Sequence, residues 1–203
     1  ALFVALIKIL STTTDVDLCN WTVSTIKHLL PLIKKPAKYI NTISKLFGTV
    51  KEQNPRQALT QIFSLLSSSS ATAVQQASVD GDTETENKQS SSSSSPSSQQ
   101  IDLNEVVVGL VSSFNALEKN KRIGGSFDRT ARQKAYLKLI STDVAKQLAA
   151  NYTYLLPVIT NLLFFCSDPD NLTRESAVSA MSKLIQQCSS ITSKDKDQKK
   201  THG

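Results

Sequence analysis

Along most of this chain the apolar residues recur three and four positions apart, the spacing that places them on one face of an α-helix. An early stripe contains Leu2, Leu6 and Ile9, and a late one contains Ile159 and Leu162. Polar turns separate successive stripes, and no segment alternates apolar and polar residues as a half-buried strand does. The pattern predicts an all-α chain in which helices follow one another as hairpins.

Capping residues support several of the predicted helix starts. Asp102 and Glu105 have the spacing of a capping box, and Asp128 is placed to cap the next helix. Asn54 and Pro55 form a pair in which the asparagine is expected at the N-cap and the proline at the first helical position. We therefore expect helices to begin at these three places.

One low-complexity segment interrupts the helical pattern. Residues 67–100 contain long serine runs and acidic residues, with too little apolar area to offset the entropy of ordering the chain. We predict a disordered Ser-rich insert there, helical repeats over residues 1–66 and 101–190, and a disordered basic tail over residues 191–203. Within the insert, Ser95 precedes a proline and is a candidate phosphorylation site.

Residues 168–185 resemble the second half of a HEAT repeat. An Asp-Pro turn is followed by Arg174, by two small residues three apart, Ala177 and Ala180, and then by leucine-rich positions. Thr173 departs from that pattern, which usually has Val or Ile there. Residues 6–26 show a looser resemblance to the last two helices of an armadillo repeat.

This resemblance implies a right-handed α-solenoid of stacked helical hairpins, with a groove along which a protein partner lies. HEAT and armadillo proteins include transport receptors, chromosome-organising subunits, phosphatase scaffolds, ribosome-assembly factors and vesicle coats. Because the chain opens at Ala1 inside an apolar run without an initiator Met, we expect a fragment of a larger protein. The expected function is a non-catalytic protein-binding scaffold.

Two alternatives stay open. The chain is either a nucleic-acid or chromatin-associated subunit, condensin-like or ribosome-assembly-like, that binds through its basic flanks, or the structural middle of a large enzyme.

The net charge is +6, and the acidic residues concentrate in residues 71–105, where six Asp/Glu accompany one Lys. Five lysines near the second and third helices are candidates for binding an acidic protein, nucleic acid or lipid headgroup. They are Lys27, Lys34, Lys35, Lys38 and Lys45. Because the aromatic residues do not alternate with these lysines in a way that supports base stacking, we favour a solvated face over a nucleic-acid surface.

The sequence offers little for catalysis. Its only histidines are His28 and His202, and no carboxylate pair, nucleophile motif or metal-ligand spacing accompanies them, so we expect no enzyme activity, cofactor or metal. Cys19, Cys166 and Cys188 are an odd number without a CxxC pair, which indicates a reducing compartment, the cytoplasm or nucleus. No apolar run reaches the length that crosses a bilayer.

Overall fold

The computed structural model of this chain describes residues 2–76, 102–118 and 126–200, with side chains described for residues 2–69, 102–118 and 126–191. Within these ranges the chain forms nine α-helices and one short 3-10 turn, and the only β-type pairing is an isolated bridge between Leu117 and Phe127. The helices are α1 (Leu2–Leu10), α2 (Val16–Leu29), α3 (Ala37–Leu46), α4 (Gln53–Gln76), α5 (Leu103–Phe114), α6 (Arg129–Ile140), α7 (Thr142–Ala149), α8 (Tyr152–Phe165) and α9 (Asn171–Lys200). The all-α prediction is confirmed.

The helices pair and stack as an α-solenoid does. Helix α1 packs on α2, α3 on α4, α5 on α6, and α8 on α9, which gives four pairs of neighbours in the chain. Between pairs, α2 packs on α4, α5 on α8, and α6 on α9. Each pair therefore covers an apolar face of the next, as predicted for stacked hairpins. Whether these units belong to the HEAT or armadillo type stays a prediction.

One packing contact joins helices that are far apart in the chain. Helix α3 packs on α8 while α4 packs on α5, so the α3/α4 pair lies across the first helices of two later pairs. At the end of α3, a Cβ added to Gly48 would lie 3.9 Å from the Cβ of Thr160 on α8, which shows how closely the two backbones approach. The residues on either side of the Ser-rich segment thus form one packed body.

The buried apolar side chains of the described residues form one continuous core. Among the largest fully buried side chains are Phe47, Phe63, Phe114 and Phe165, and Ala177 and Ala180 of α9 are buried as well. Among the described residues no single helix is both long and apolar enough to cross a membrane; α7 and α8 together have that length and composition, but the chain bends by 115° between them.

Two of the three predicted helix starts are confirmed. The Asp102 carboxylate accepts hydrogen bonds from the backbone N–H groups of Asn104 and Glu105, and Asp128 caps α6 in the same way. The third needs correction, because α4 begins at Gln53. Asn54 and Pro55 therefore lie inside its first turn. Proline is tolerated there since the N–H groups of a first turn have no partner within the helix.

Two helices extend past the predicted boundaries of the insert and the tail, and the division of the chain into these segments stays a prediction. Helix α4 continues to Gln76, past the predicted start of the insert at residue 67, and α9 continues to Lys200, past the predicted start of the tail at residue 191. Serine hydroxyls in α4 donate to the carbonyl four residues earlier, as Ser68 does to Ser64, so serine side chains are accommodated within the helix. The predicted phosphorylation site, Ser95, lies outside the described residues.

Candidate functional site

The five candidate lysines are all exposed, and they lie along α2, its connection to α3, and α3 itself. Lys38 and Lys45 are seven residues apart, so they lie on the same face of α3, about 10 Å apart along the helix axis. Lys34 and Lys35 directly precede that helix. The ion pairs found among the described residues join other side chains, so these lysines keep their full charge toward solvent.

Acidic residues are absent from the whole surrounding stretch of sequence. Residues 18–51 contain six lysines and no Asp or Glu, with Asp17 and Glu52 at its two borders. The sixth lysine, Lys51, was not among the predicted site residues, and it is exposed at the link between α3 and α4. Because this stretch carries no acidic residue, and the ion pairs among the described residues do not involve its lysines, it favours contact with polyanions.

The structure separates Lys27 from the other candidate lysines. Lys27 lines a groove of about 410 Å³ between α2, α4 and α5, and none of the other four lysines lines it. The hydroxyls of Thr60 and Ser64 also line this groove, and both donate to carbonyls of their own helix. We therefore use the term lysine surface for the four side chains on the α2–α3 connection and on α3. They are Lys34, Lys35, Lys38 and Lys45.

A larger cavity, of about 780 Å³, lies where the α3–α4 link, the α5–α6 connection and the α8–α9 turn meet. Phe127 and Phe164 form part of its wall, with ring centroids 6.4 Å apart in an edge-to-face arrangement. Leu163, which is 55% exposed, and Lys51 also line it. Its volume is in the range of small-ligand and peptide side-chain pockets.

The charged side chains of the cavity largely neutralise one another. Arg129 pairs with Asp170, and Nη1 of Arg132 lies 3.3 Å from Oδ2 of Asp168. The Arg132 pair is nearly buried, with an arginine side chain only 8% exposed. Hydrogen bonds from the side chain and backbone of Thr173, with a smaller contribution from Arg129, hold the pKa of Asp170 below its usual value. The cavity therefore presents paired charges and an apolar wall, whereas the lysine surface presents unpaired positive charge.

Beneath this cavity lies a fully buried arginine, Arg56 on α4. Its Nε donates to Oδ1 of Asn115 and its Nη2 to Oδ1 of Asn161, each at 2.8 Å, while Nη1 donates to two backbone carbonyls at the end of α3. The guanidinium carbon lies 3.7 Å from the centroid of the Phe164 ring. Burial lowers the pKa of Arg56 to about 9, so the group stays protonated at neutral pH. Arg56 joins α4, α5 and α8 and has no access to a ligand.

The residues considered for catalysis or metal binding lie apart from one another. The described residues contain no group of three His, Cys, Asp or Glu side chains that could hold a metal ion. The exposed His28 donates through Nδ1 to the carbonyl of Ser24, and His202 lies outside the described residues. Burial raises the pKa of the thiols of Cys19 and Cys166, which keeps them protonated and poorly nucleophilic at neutral pH.

The family model described as U3 small nucleolar RNA-associated protein 20, N-terminal, matches residues 5–202 of this chain. The chain belongs to this family. The match includes the helices on both sides of the Ser-rich segment, in agreement with their packing into one body. The family supports the ribosome-assembly alternative better than a general protein-binding scaffold. No curated protein and no solved structure matches the chain.

Proposed function

We propose that this chain is a non-catalytic helical module of a ribosome-assembly protein associated with U3 small nucleolar RNA, and that its lysine surface binds RNA phosphates. The family match over residues 5–202 is the observation that carries the proposal. The unpaired lysines of an acid-free stretch supply the chemistry for RNA. A protein of this class works in the nucleolus, which agrees with the reducing compartment expected from its cysteines.

The physical basis of the proposal is the release of counterions. Each lysine that neutralises a phosphate frees a condensed cation, so RNA affinity is expected to fall steeply as salt is added. Lys38 and Lys45 on one face of α3 can follow a few nucleotides of backbone, and Lys34 and Lys35 extend that line toward α2. Such contacts position an RNA strand without selecting its sequence.

A matched pair of triple variants tests the lysine surface. The first variant changes Lys34, Lys38 and Lys45 to Gln. The control variant changes three exposed lysines on α6 and α7 to Gln and so removes the same amount of positive charge. The control positions are Lys134, Lys138 and Lys146. Titration of a short single-stranded RNA at several salt concentrations is expected to show about tenfold weaker binding for the first variant only. The slope of log affinity against log salt is expected to fall by about 2.

Two outcomes contradict this proposal. If both triple variants lose affinity equally, only the net charge matters and the lysine surface is not the binding site. If the unmodified chain fails to bind RNA even at low salt, the chain has no RNA-binding role of its own.

Protein binding is the second candidate, and the cavity favours it. An apolar wall with neutralised charges suits a protein side chain better than a phosphate. Affinity capture from nuclear extract, with and without nuclease, separates the two candidates. A defined protein partner that is retained by the lysine triple variant after nuclease treatment supports the protein-binding function, whereas partners that all disappear with nuclease leave RNA as the ligand.

A further inference from the structure

The only tryptophan of the chain, Trp21, is 57% exposed on α2. Tryptophan has a large apolar ring system and is mostly buried in folded proteins, so an exposed one marks a contact site more often than an exposed leucine does. The opposite side of α2 faces the core through Cys19, Thr22 and Ile26. No aromatic or cation-π contact among the described residues involves the Trp21 ring. Its indole is therefore available to a ligand.

Trp21 shares its exposed helix face with a second ring. His28 lies seven residues further along α2, about two turns or 10 Å away. Ser24, which is between them on the same face, accepts the hydrogen bond from Nδ1 of His28 at 2.7 Å and so fixes that ring on the helix surface. The rings of Trp21 and His28 thus lie one after the other along α2, in the direction of its C-terminal end.

The chain that follows Trp21 favours a polyanion as the ligand. Trp21 lies near the start of the acid-free residues 18–51, whose six lysines all come after it. Asp17, one turn before Trp21 on the same face, disfavours phosphates at the N-terminal end of α2. A bound polyanion is therefore drawn toward the C-terminal end of α2, and the lysine surface begins five residues beyond that end, at Lys34.

We propose that Trp21 is a stacking platform for an unpaired RNA base, on the helix that precedes the lysine surface, where the RNA phosphates bind. This inference rests on the proposed RNA-binding function and specifies its ligand as single-stranded RNA. Bases stack on aromatic side chains with little regard for sequence, because every base has a π-face. A duplex keeps its bases stacked on one another, so it reaches the lysines but not the indole.

The fluorescence of the single tryptophan reports this contact directly. The 203-residue chain is titrated with a short single-stranded RNA and, separately, with heparin, a polyanion without bases. We expect RNA to quench the emission of Trp21 at saturation and heparin to leave it almost unchanged. Occupancy is followed independently through the anisotropy of a labelled RNA or heparin.

Variants test the same contact through affinity. Trp21→Ala is expected to weaken binding of single-stranded RNA about tenfold and to leave heparin binding unchanged, whereas Trp21→Phe keeps most of the affinity. Leu137→Ala is the control, because Leu137 is 70% exposed on α6, next to Lys134 and Lys138, and has no ring to stack. Far-UV circular dichroism verifies that each variant is folded, and the quenching of the unmodified chain does not depend on any variant.

The outcomes separate this inference from the proposed function. Binding that depends on the lysine surface but leaves Trp21 emission and the Trp21→Ala affinity unchanged overturns the stacking contact and leaves the RNA-binding function in place. Equal quenching by heparin and RNA also overturns it, because charge alone then explains the response. Absence of RNA binding overturns both.

Discussion

At the scale of single residues, Arg56 is a buried cation. Its guanidinium is surrounded by oxygen atoms and aromatic rings, where a carboxylate would be the usual partner. The guanidinium has five N–H donors in a fixed plane, and its hydrogen bonds reach two asparagine side chains and two carbonyls. The Phe164 ring covers one of its faces. Removing this side chain leaves several buried acceptors short of a donor, and each such acceptor costs free energy.

Because four buried acceptors lose this donor, we expect Arg56→Met to lower the free energy of unfolding by about 3–5 kcal/mol. Arg129→Met is the matched control, because the Arg129 side chain is 55% exposed and its ion pair faces solvent, so its loss is expected to cost less than about 1 kcal/mol. Urea unfolding followed by circular dichroism measures both variants. Equal losses for the two would show that the buried hydrogen bonds add nothing beyond a surface ion pair.

The roles of Arg56 and Trp21 could not be predicted from the sequence, whereas those of the caps could. Asp102 and Asp128 act on backbone groups two or three residues away, so local spacing predicts them. Arg56 instead meets Asn115 and Asn161, which are 59 and 105 residues distant in the chain. The exposure of Trp21 depends on how α2 packs, and its sequence neighbours Cys19 and Thr22 are buried.

At the scale of helices, apolar periodicity predicted which segments are helical but not where two of them end. A helix makes its hydrogen bonds within itself, so α4 and α9 can extend into polar sequence at their ends. Composition alone suggested disorder there. The lysine surface belongs to the predictable part, because its four residues were among the five candidate lysines evident from the sequence, whereas the placement of Lys27 in a separate groove was not.

The small residues of α9 give a prediction at this scale. Ala180 is fully buried where α9 meets its neighbouring helices, and Ser179 beside it is exposed. Ala180→Leu forces extra methyl and methylene groups into a filled interface, so we expect it to lower the free energy of unfolding by about 1–3 kcal/mol. Ser179→Leu adds the same side chain to the surface and is expected to have little effect. Similar losses from both would contradict close packing at Ala180.

At the scale of the whole molecule, the chain departs from a solenoid whose hairpins stack only on their neighbours in sequence. The α3/α4 pair lies across α5 and α8, and Arg56 is placed where these four helices meet. Repeat patterns in a sequence define the units and say nothing about which unit covers which, so this arrangement was not predictable from the residues alone.

This arrangement predicts that the chain assembles from two pieces. Residues 1–76 and 102–203, co-expressed as separate chains, are expected to form a one-to-one complex, because α3 and α4 bury their apolar faces on α8 and α5. Size-exclusion chromatography with light scattering measures the complex, and Arg56→Met in the first piece is expected to weaken it. Pieces that elute separately at micromolar concentration would contradict the prediction.

The placement of the α3/α4 pair across α5 and α8 has a consequence for how this protein can evolve. Side-chain contacts already hold the two parts of the body together, so the covalent connection over residues 77–101 contributes little to cohesion. Doubling the length of such a connection costs only about 0.6 kcal/mol of closure entropy. Insertions and deletions within residues 77–101 are therefore expected to leave the arrangement of the packed helices unchanged.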